Sequence, residues 1–296
     1  MTPQDQPKPR NNARKAAARE LQRKRPELSY HQALAAVAES AGNAEASNPL
    51  HIRSLLNIAS AADLATRHRD QPLNMTVPVG IRENGETVTL NIAHVFEHPT
   101  GTGPHGAIAG PAALRFSLAL AVALRANNSA ERIEVAFVGT EPDGRTAAPA
   151  VDYTVSAPWH AWLRGQLAER SETARSAQVR NLADLIDVPR LVVLVDLDTV
   201  DVDDTLPTAA AASLENAVRT GRSLGVHIIL ICSDARTLLR IPSIVANLTF
   251  NVTLSDEGQR RIAAAETTDQ GHLRFTPAQF STGDLTRWVT AARTPS

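Results

Sequence analysis

Two apolar runs constrain the fold of this chain more than anything else in it: Leu191-Val192-Val193-Leu194-Val195 and Val226-His227-Ile228-Ile229-Leu230-Ile231. Neither alternates between apolar and polar residues. A strand that is apolar on both faces must be covered on both faces, which is the condition inside a parallel sheet flanked by helices. Shorter runs at 106–109, 132–138 and 247–254 continue the pattern. Between the runs lie segments with helical periodicity, at 111–126, 158–185, 207–223, 234–240 and 256–265. Strands alternating with helices predict an α/β fold with a mostly parallel sheet covered by helices. A last strand pair is expected around 271–275 and 286–292. Upstream, two short helical patterns at 51–57 and 60–68 precede Met75–Ile81 and Thr87–Ile92, which flank Asn84-Gly85. Asn-Gly between alternating segments predicts a β-hairpin.

Charge divides the chain further. The 296 residues carry a formal net charge of −1, yet the only lysines are Lys8, Lys15 and Lys24. The first 25 residues hold eight Lys or Arg against Asp5 and Glu20, a balance of +6, so the remainder carries −7. Residues 1–10, with two prolines and no apolar period, read as a disordered tail. Residues 11–42 read as a basic helical hairpin in which Pro26 separates two helices and Ser29 caps the second. The Gly/Asn/Ser/Pro stretch 43–49 reads as a linker, and 50–293 as the α/β domain. Arg14, Lys15, Arg19, Arg23, Lys24 and Arg25 are the candidate contacts for nucleic acid or an acidic partner. No aromatic is interleaved among them, which argues against base stacking but not against phosphate contact. The lone Cys232 excludes an internal disulfide. No apolar run reaches the roughly 18–20 residues of a membrane span, and no hydrophobic signal segment opens the chain, so a cytoplasmic protein is expected.

Several motifs have ordinary explanations. Gly101-Thr102-Gly103-Pro104-His105-Gly106 matches G-x-G-x-x-G but precedes a strand, whereas a dinucleotide site requires the glycines after a strand and before a helix. It reads as a glycine-rich connector. His94-Val95-Phe96-Glu97-His98 has the H-x-x-E-H spacing of a zinc site, but Pro99 leaves at best one helical turn, so a chance match is expected. Asp196, Asp198, Asp201, Asp203 and Asp204 crowd the end of the first apolar run. Together they could hold a hard cation through oxygen ligands, but they lack the EF-hand spacing and its central glycine, and a solvated acidic loop is the favoured reading. Cys232 has no activating histidine in sequence and reads as core.

From Gly103-Pro104-His105-Gly106 onward, an ordered set of landmarks over residues 48–293 resembles the FtsK/SpoIIIE P-loop ATPases, most closely the EccC modules of type VII secretion. HIRSLLNI is similar to the opening helix of such a module, and MTVPVGIRENGETVTLNI to its leading hairpin. RLVVLVDLD stands where the Walker B strand belongs, and ENAVRTGRSLGVHIILI resembles the helix–strand signature that follows it. IPSIVANLTFNVTL and GHLRF resemble the closing strands. The resemblance implies a RecA/FtsK-like P-loop fold, here in degenerate form. The basic hairpin lies outside it.

Against that family the chemical groups are missing. A P-loop wraps phosphates in glycine amides, adds a lysine, and offers a Ser or Thr hydroxyl to Mg²⁺. The corresponding segment here is Gly110-Pro-Ala-Ala-Leu-Arg115-Phe116-Ser117, with Phe116 at the lysine position. A gap cannot repair it, because no lysine follows Lys24. Asp196 matches the Walker B aspartate, but Leu197 stands where the resemblance places the catalytic glutamate. Ile231-Cys232-Ser233 replaces the usual Ala-Thr-Gln, and the arginine-finger positions fall near Asn251 and Ser255. No catalytic residue is therefore expected, and Gly110, Arg115, Ser117 and Asp196 are a nucleotide-site remnant. The expected function is that of a non-hydrolysing pseudo-ATPase domain, with no required cofactor or metal and only residual ATP/Mg²⁺ binding left open. It would act by binding protein: a module of an FtsK/EccC-like motor, or a small helical secretion substrate. Two alternatives stand beside this: a DNA-associated accessory protein of a translocation or conjugation system, and an ATP binder using Arg115, Ser117 and Asp196 in an unconventional way. Salt-dependent DNA binding before and after deletion of residues 1–42 separates the first of these from the protein-binding reading.

Overall fold

The computed structural model describes residue 23 and residues 52–70, 72–93, 103–140, 151–156, 158–202, 208–257, 260–267, 271–278 and 289. The chain divides into two units, Met1–Pro49 and Leu50–Ser296. In the first, Arg23 is an exposed helical residue. The expected tail, hairpin and linker, with Arg14, Lys15, Arg19, Lys24 and Arg25, otherwise lie outside the described residues.

The second unit opens with helices α1 (Ile52–Leu56) and α2 (Ala61–Asp70) and the hairpin β1 (Thr76–Ile81) and β2 (Thr87–Asn91). The α/β part runs β3 (Gly106–Ala109), α3 (Ala113–Asn127), β4 (Ile133–Val138), β5 (Tyr153–Val155), α4 (Trp159–Ser176), β6 (Arg190–Asp196), α5 (Ala209–Thr220) and β7 (Val226–Cys232). A short helix α6 (Pro242–Val245) leads into β8 (Phe250–Glu257), β9 (Arg260–Thr267) and β10 (Gly271–Pro277). The strands form one ten-stranded sheet in the order β2-β1-β10-β9-β8-β3-β7-β6-β4-β5. From β8 to β5 every neighbouring pair is parallel, and from β2 to β8 every pair is antiparallel.

Burial explains the order. Every residue of β6 and β7 is buried, as their unbroken apolar runs require. α3 is buried on almost all sides from Phe116 to Asn127 because it packs against the parallel strands β3, β7 and β4 and also against α1, α2 and β1. α4 and α5 pack together on the opposite face, over a second core that takes in Ala107, Ala109, Val193, Val195 and Leu230. The charges on buried Arg125 of α3 are met locally: its guanidinium donates to the carbonyl of Ile133 and lies 3.3 Å from the Asp152 carboxylate. Asp152 also accepts the Val135 amide at 2.8 Å, so the approach to β5 is tied to β4.

The sequence expectations differ from the structure at four places. The helix expected at 156's downstream neighbours, 158–185, ends at Ser176. Gln178 takes φ 56°, its amide and that of Val179 donate to Arg175 and Ala174, and the helix closes in a Schellman turn without the usual glycine. The helix expected at 256–265 is instead a β-hairpin of β8 and β9. Ala263, Ala265 and Thr267 are buried while Ala264 and Glu266 are exposed, and β9 pairs on both edges, so tertiary pairing overrides the helix preference of alanine. In the strand expected at 286–292 only Val289 is described, and it is helical and buried. Finally, β5 has no counterpart in the sequence expectation; three residues are too few to show a period.

Candidate nucleotide-site remnant

The carboxyl ends of β3, β7, β6 and β4 form one edge, where ligands of open α/β sheets bind. β7 lies between β3 and β6, with Ala109 opposite Cys232 and Asp196 opposite Ile231.

The link from β3 to α3 is only a tight turn. Gly110 takes φ 109°, and a Cβ there would stand 2.1 Å from the Leu254 carbonyl oxygen, so only glycine fits. Its amide donates to Cys232 and its carbonyl accepts from Ala113. Ala112, at φ 63°, then leads directly into the helix at Ala113. Residues 113–115, which in a phosphate-binding loop would still arch around the ligand, are already the first turn of α3. Phe116 is buried in the first core. Ser117 is wholly buried, and its hydroxyl donates to the Ala113 carbonyl at 2.9 Å within the helix. Arg115 is exposed on the outer side of the same turn. Of the remnant residues, Gly110, Arg115 and Ser117 thus share one turn, but Ser117 and Arg115 face opposite ways.

At the end of β6, Asp196 is 5% exposed and already satisfied by protein donors. Its Oδ1 accepts the Asp198 amide at 3.2 Å and its Oδ2 the Thr199 hydroxyl at 3.0 Å. Burial raises its pKa, with the neighbouring Asp198 charge adding to that and the two hydrogen bonds opposing it. Leu197 is buried in the second core and donates its amide to Ile231. Asp198 accepts the Ser233 amide at 2.8 Å, and Asp234 caps the 3₁₀ turn Ala235–Arg240 through the Arg236 amide. The carboxylates of this edge therefore hold loops in place. Among the described residues no three His, Cys, Asp or Glu side chains converge as a metal site; Asp203 and Asp204 lie outside those residues, as do His94 and His98. A Ser117 hydroxyl that is wholly buried and bonded inside the helix does not fit the role of ligand to the Mg²⁺ that a P-loop nucleotide carries. Cys232 is buried, with its thiol pushed up to about 12, first by burial and then by Asp198, Asp234 and Asp196.

Thr199 escaped the sequence reading. It donates to Asp196 and accepts the Thr140 amide at 3.1 Å, joining the ends of β4 and β6. A threonine three residues beyond a strand-end aspartate was the available signal. Asn251 and Ser255, at the positions compared with arginine fingers, lie on one face of β8 with Thr253 between them, and Asn251 stands opposite Ala107.

The residues that best carried the resemblance lie at the opposite edge. His105 is wholly buried, and its Nδ1 accepts the Ile228 amide at 3.1 Å. Its carbonyl accepts both the amide and the hydroxyl of Thr249 at 2.8 Å. His227 donates from Nδ1 to the Ile92 carbonyl at 3.0 Å. Gly225 takes φ 65° between the 3₁₀ turn Gly221–Leu224 and β7. The Gly-Pro-His-Gly and Leu-Gly-Val-His segments thus align the starts of β3, β7 and β8.

No protein-family model and no curated protein sequence matches the chain. Solved structures do. The cytoplasmic domain of the type VII secretion ATPase EccC of Thermomonospora curvata superposes with a TM-score of 0.68 at 19% identity, over 83% of this chain and 35% of that one. EssC (ATPases 2 and 3) from Geobacillus thermodenitrificans gives 0.54 at 12% identity, over 75% and 49%. The pCW3 conjugation coupling protein TcpA, in monomer form with ATPγS, gives 0.53 at 14% identity, over 77% and 73%. The chain spans about a third of the length of the EccC structure it matches. Taken with the sheet order and the strand-to-helix turn, these likenesses show that the domain has the α/β fold of an EccC/FtsK-type P-loop ATPase.

Proposed function

We propose that this chain is a non-hydrolysing ATPase-like domain that acts by binding protein, as an accessory to an FtsK/EccC-type motor or to the substrate such a motor moves. The observation that carries this reading is the β3–α3 turn: the residues that should cradle phosphate are helical, Phe116 is in the core and the Ser117 hydroxyl is bonded inside the helix. Leu197, buried where a water-activating carboxylate belongs, supports it independently. An intact sheet with a closed nucleotide edge still presents surfaces for neighbouring modules.

Calorimetric titration of MgATP into the full chain, paired with a phosphate-release assay, tests the proposal. No saturable binding and no release above buffer are expected. Turnover that disappears in Asp196→Asn would overturn it. The positive half is tested by co-purification with a separately expressed EccC-type motor module, where a stable 1:1 complex insensitive to nucleotide is the expected result.

A further inference from the structure

A cleft of about 420 Å³ opens at the amino ends of the parallel strands, on the sheet edge away from Gly110 and Asp196. One wall is the approach to β1, with Leu73 and Met75; the other is the loop between α4 and β6, with Leu185 and Val188. The volume lies in the range of small-molecule sites. Ile186 on the second wall is 71% exposed, a degree that among the large apolar side chains of the described residues only Leu239 also reaches.

The charge is set by two arginines on adjacent strands. Arg132 precedes β4 and Arg190 opens β6, joined by a backbone hydrogen bond from the Arg190 amide to the Arg132 carbonyl at 2.9 Å. Arg190 is held in place, donating to the Val188 carbonyl. The Arg132 guanidinium has no hydrogen-bond or ion-pair partner among the described residues and is half-buried on the cleft wall. Asp184 is the single acid in the lining and is exposed, so the half-buried Arg132 guanidinium is the cation the cleft offers beside its apolar walls. Two other polar side chains of the lining are engaged in folding: that of Asn74 accepts the Thr76 amide and that of Asn91 accepts the Ala93 amide.

We propose that this cleft binds a small apolar monocarboxylate, its carboxylate paired with Arg132 and its apolar body against Leu73, Met75, Leu185 and Val188. A single offered guanidinium suits a monoanion, and its planar fork suits the carboxylate. Apolar walls add affinity that a bare anion such as phosphate cannot use.

Ligand-observed NMR titration of the full chain with decanoate, decanamide, inorganic phosphate and an N-acetylated apolar tetrapeptide with a free carboxyl terminus tests this. Decanoate is expected to bind at one saturable site. Decanamide and phosphate should bind at least tenfold more weakly. Arg132→Ala should weaken decanoate at least tenfold with an unchanged melting temperature. Ile186→Asp, which puts a like charge on the exposed rim, should also weaken it. Absence of decanoate binding, equal binding of decanamide, or undiminished binding by Arg132→Ala would overturn the proposal. Tight binding of the tetrapeptide without decanoate would overturn it in favour of a peptide site.

Discussion

Phe116→Lys restores the cation that a phosphate loop needs, and the structure says that it will damage the fold instead. Phe116 is 6% exposed and packs in the first core through the opening of α3. Removing a buried phenylalanine side chain costs about 3–5 kcal/mol. Lysine returns part of the apolar contact through its stem but must bring a charge into the core or turn out beside exposed Arg115. A net loss of about 3–5 kcal/mol lowers the melting temperature of a domain this size by roughly 6–20 °C. Phe116→Ala serves as the control, because it loses the ring without adding charge. Thermal unfolding followed by circular dichroism, with and without 1 mM MgATP, reads the effect. Ligand at a hundred times its dissociation constant would stabilise by about 2.7 kcal/mol, which is readily seen. The expected result is a large drop in both variants and no recovery with MgATP. If Phe116→Lys melts within 2 °C of the parent, or MgATP raises it by several degrees, residues 113–115 form an openable loop and the reasoning about α3 is refuted.

Three further outcomes follow from the same geometry. His105→Ala strands the buried Ile228 amide, which should cost about 1–3 kcal/mol beyond the lost packing; urea unfolding midpoints check it, and an unchanged midpoint would show that the imidazole bond contributes nothing. Cys232 should resist a maleimide reagent at pH 8 in the folded chain and react fully in guanidinium, because its folded thiol stays protonated up to about pH 12; fast native labelling followed by mass spectrometry would contradict this. The raised pKa of Asp196 means that its folded form takes up a proton before its unfolded form does, so its contribution to stability increases as pH falls through the folded value. Asp196→Asn should accordingly melt at or above the parent temperature at pH 7, and a drop of several degrees would show the charge itself to be stabilising.

Much of the fold was legible because burial on both faces leaves its mark on sequence. β6 and β7 were readable as buried parallel strands from their composition alone, and Gly85 marked the hairpin turn between β1 and β2. Local signals failed where tertiary contacts decide. The alanines of β9 favour a helix in isolation, and only pairing with β8 and β10 makes them a strand. Gln178 closes α4 in a conformation more often taken by glycine, so nothing in the sequence marked the end of that helix. At the candidate site, Phe116 and Leu197 were visible as letters at the positions the resemblance assigns to lysine and glutamate. What those letters do was not: the sequence could not say that Phe116 and Leu197 are core residues, or that the helix begins at Ala113. The cleft beside Arg132 was invisible for a similar reason, since its two walls are far apart in the chain.

The two histidines act at the amino ends of the strands, away from Gly110 and Asp196. His105 and His227 are bonded there to backbone groups, the Ile228 amide and the Ile92 carbonyl. A variant of either histidine that loses function therefore reports on strand alignment, because every group at the carboxyl ends of the same strands is left in place.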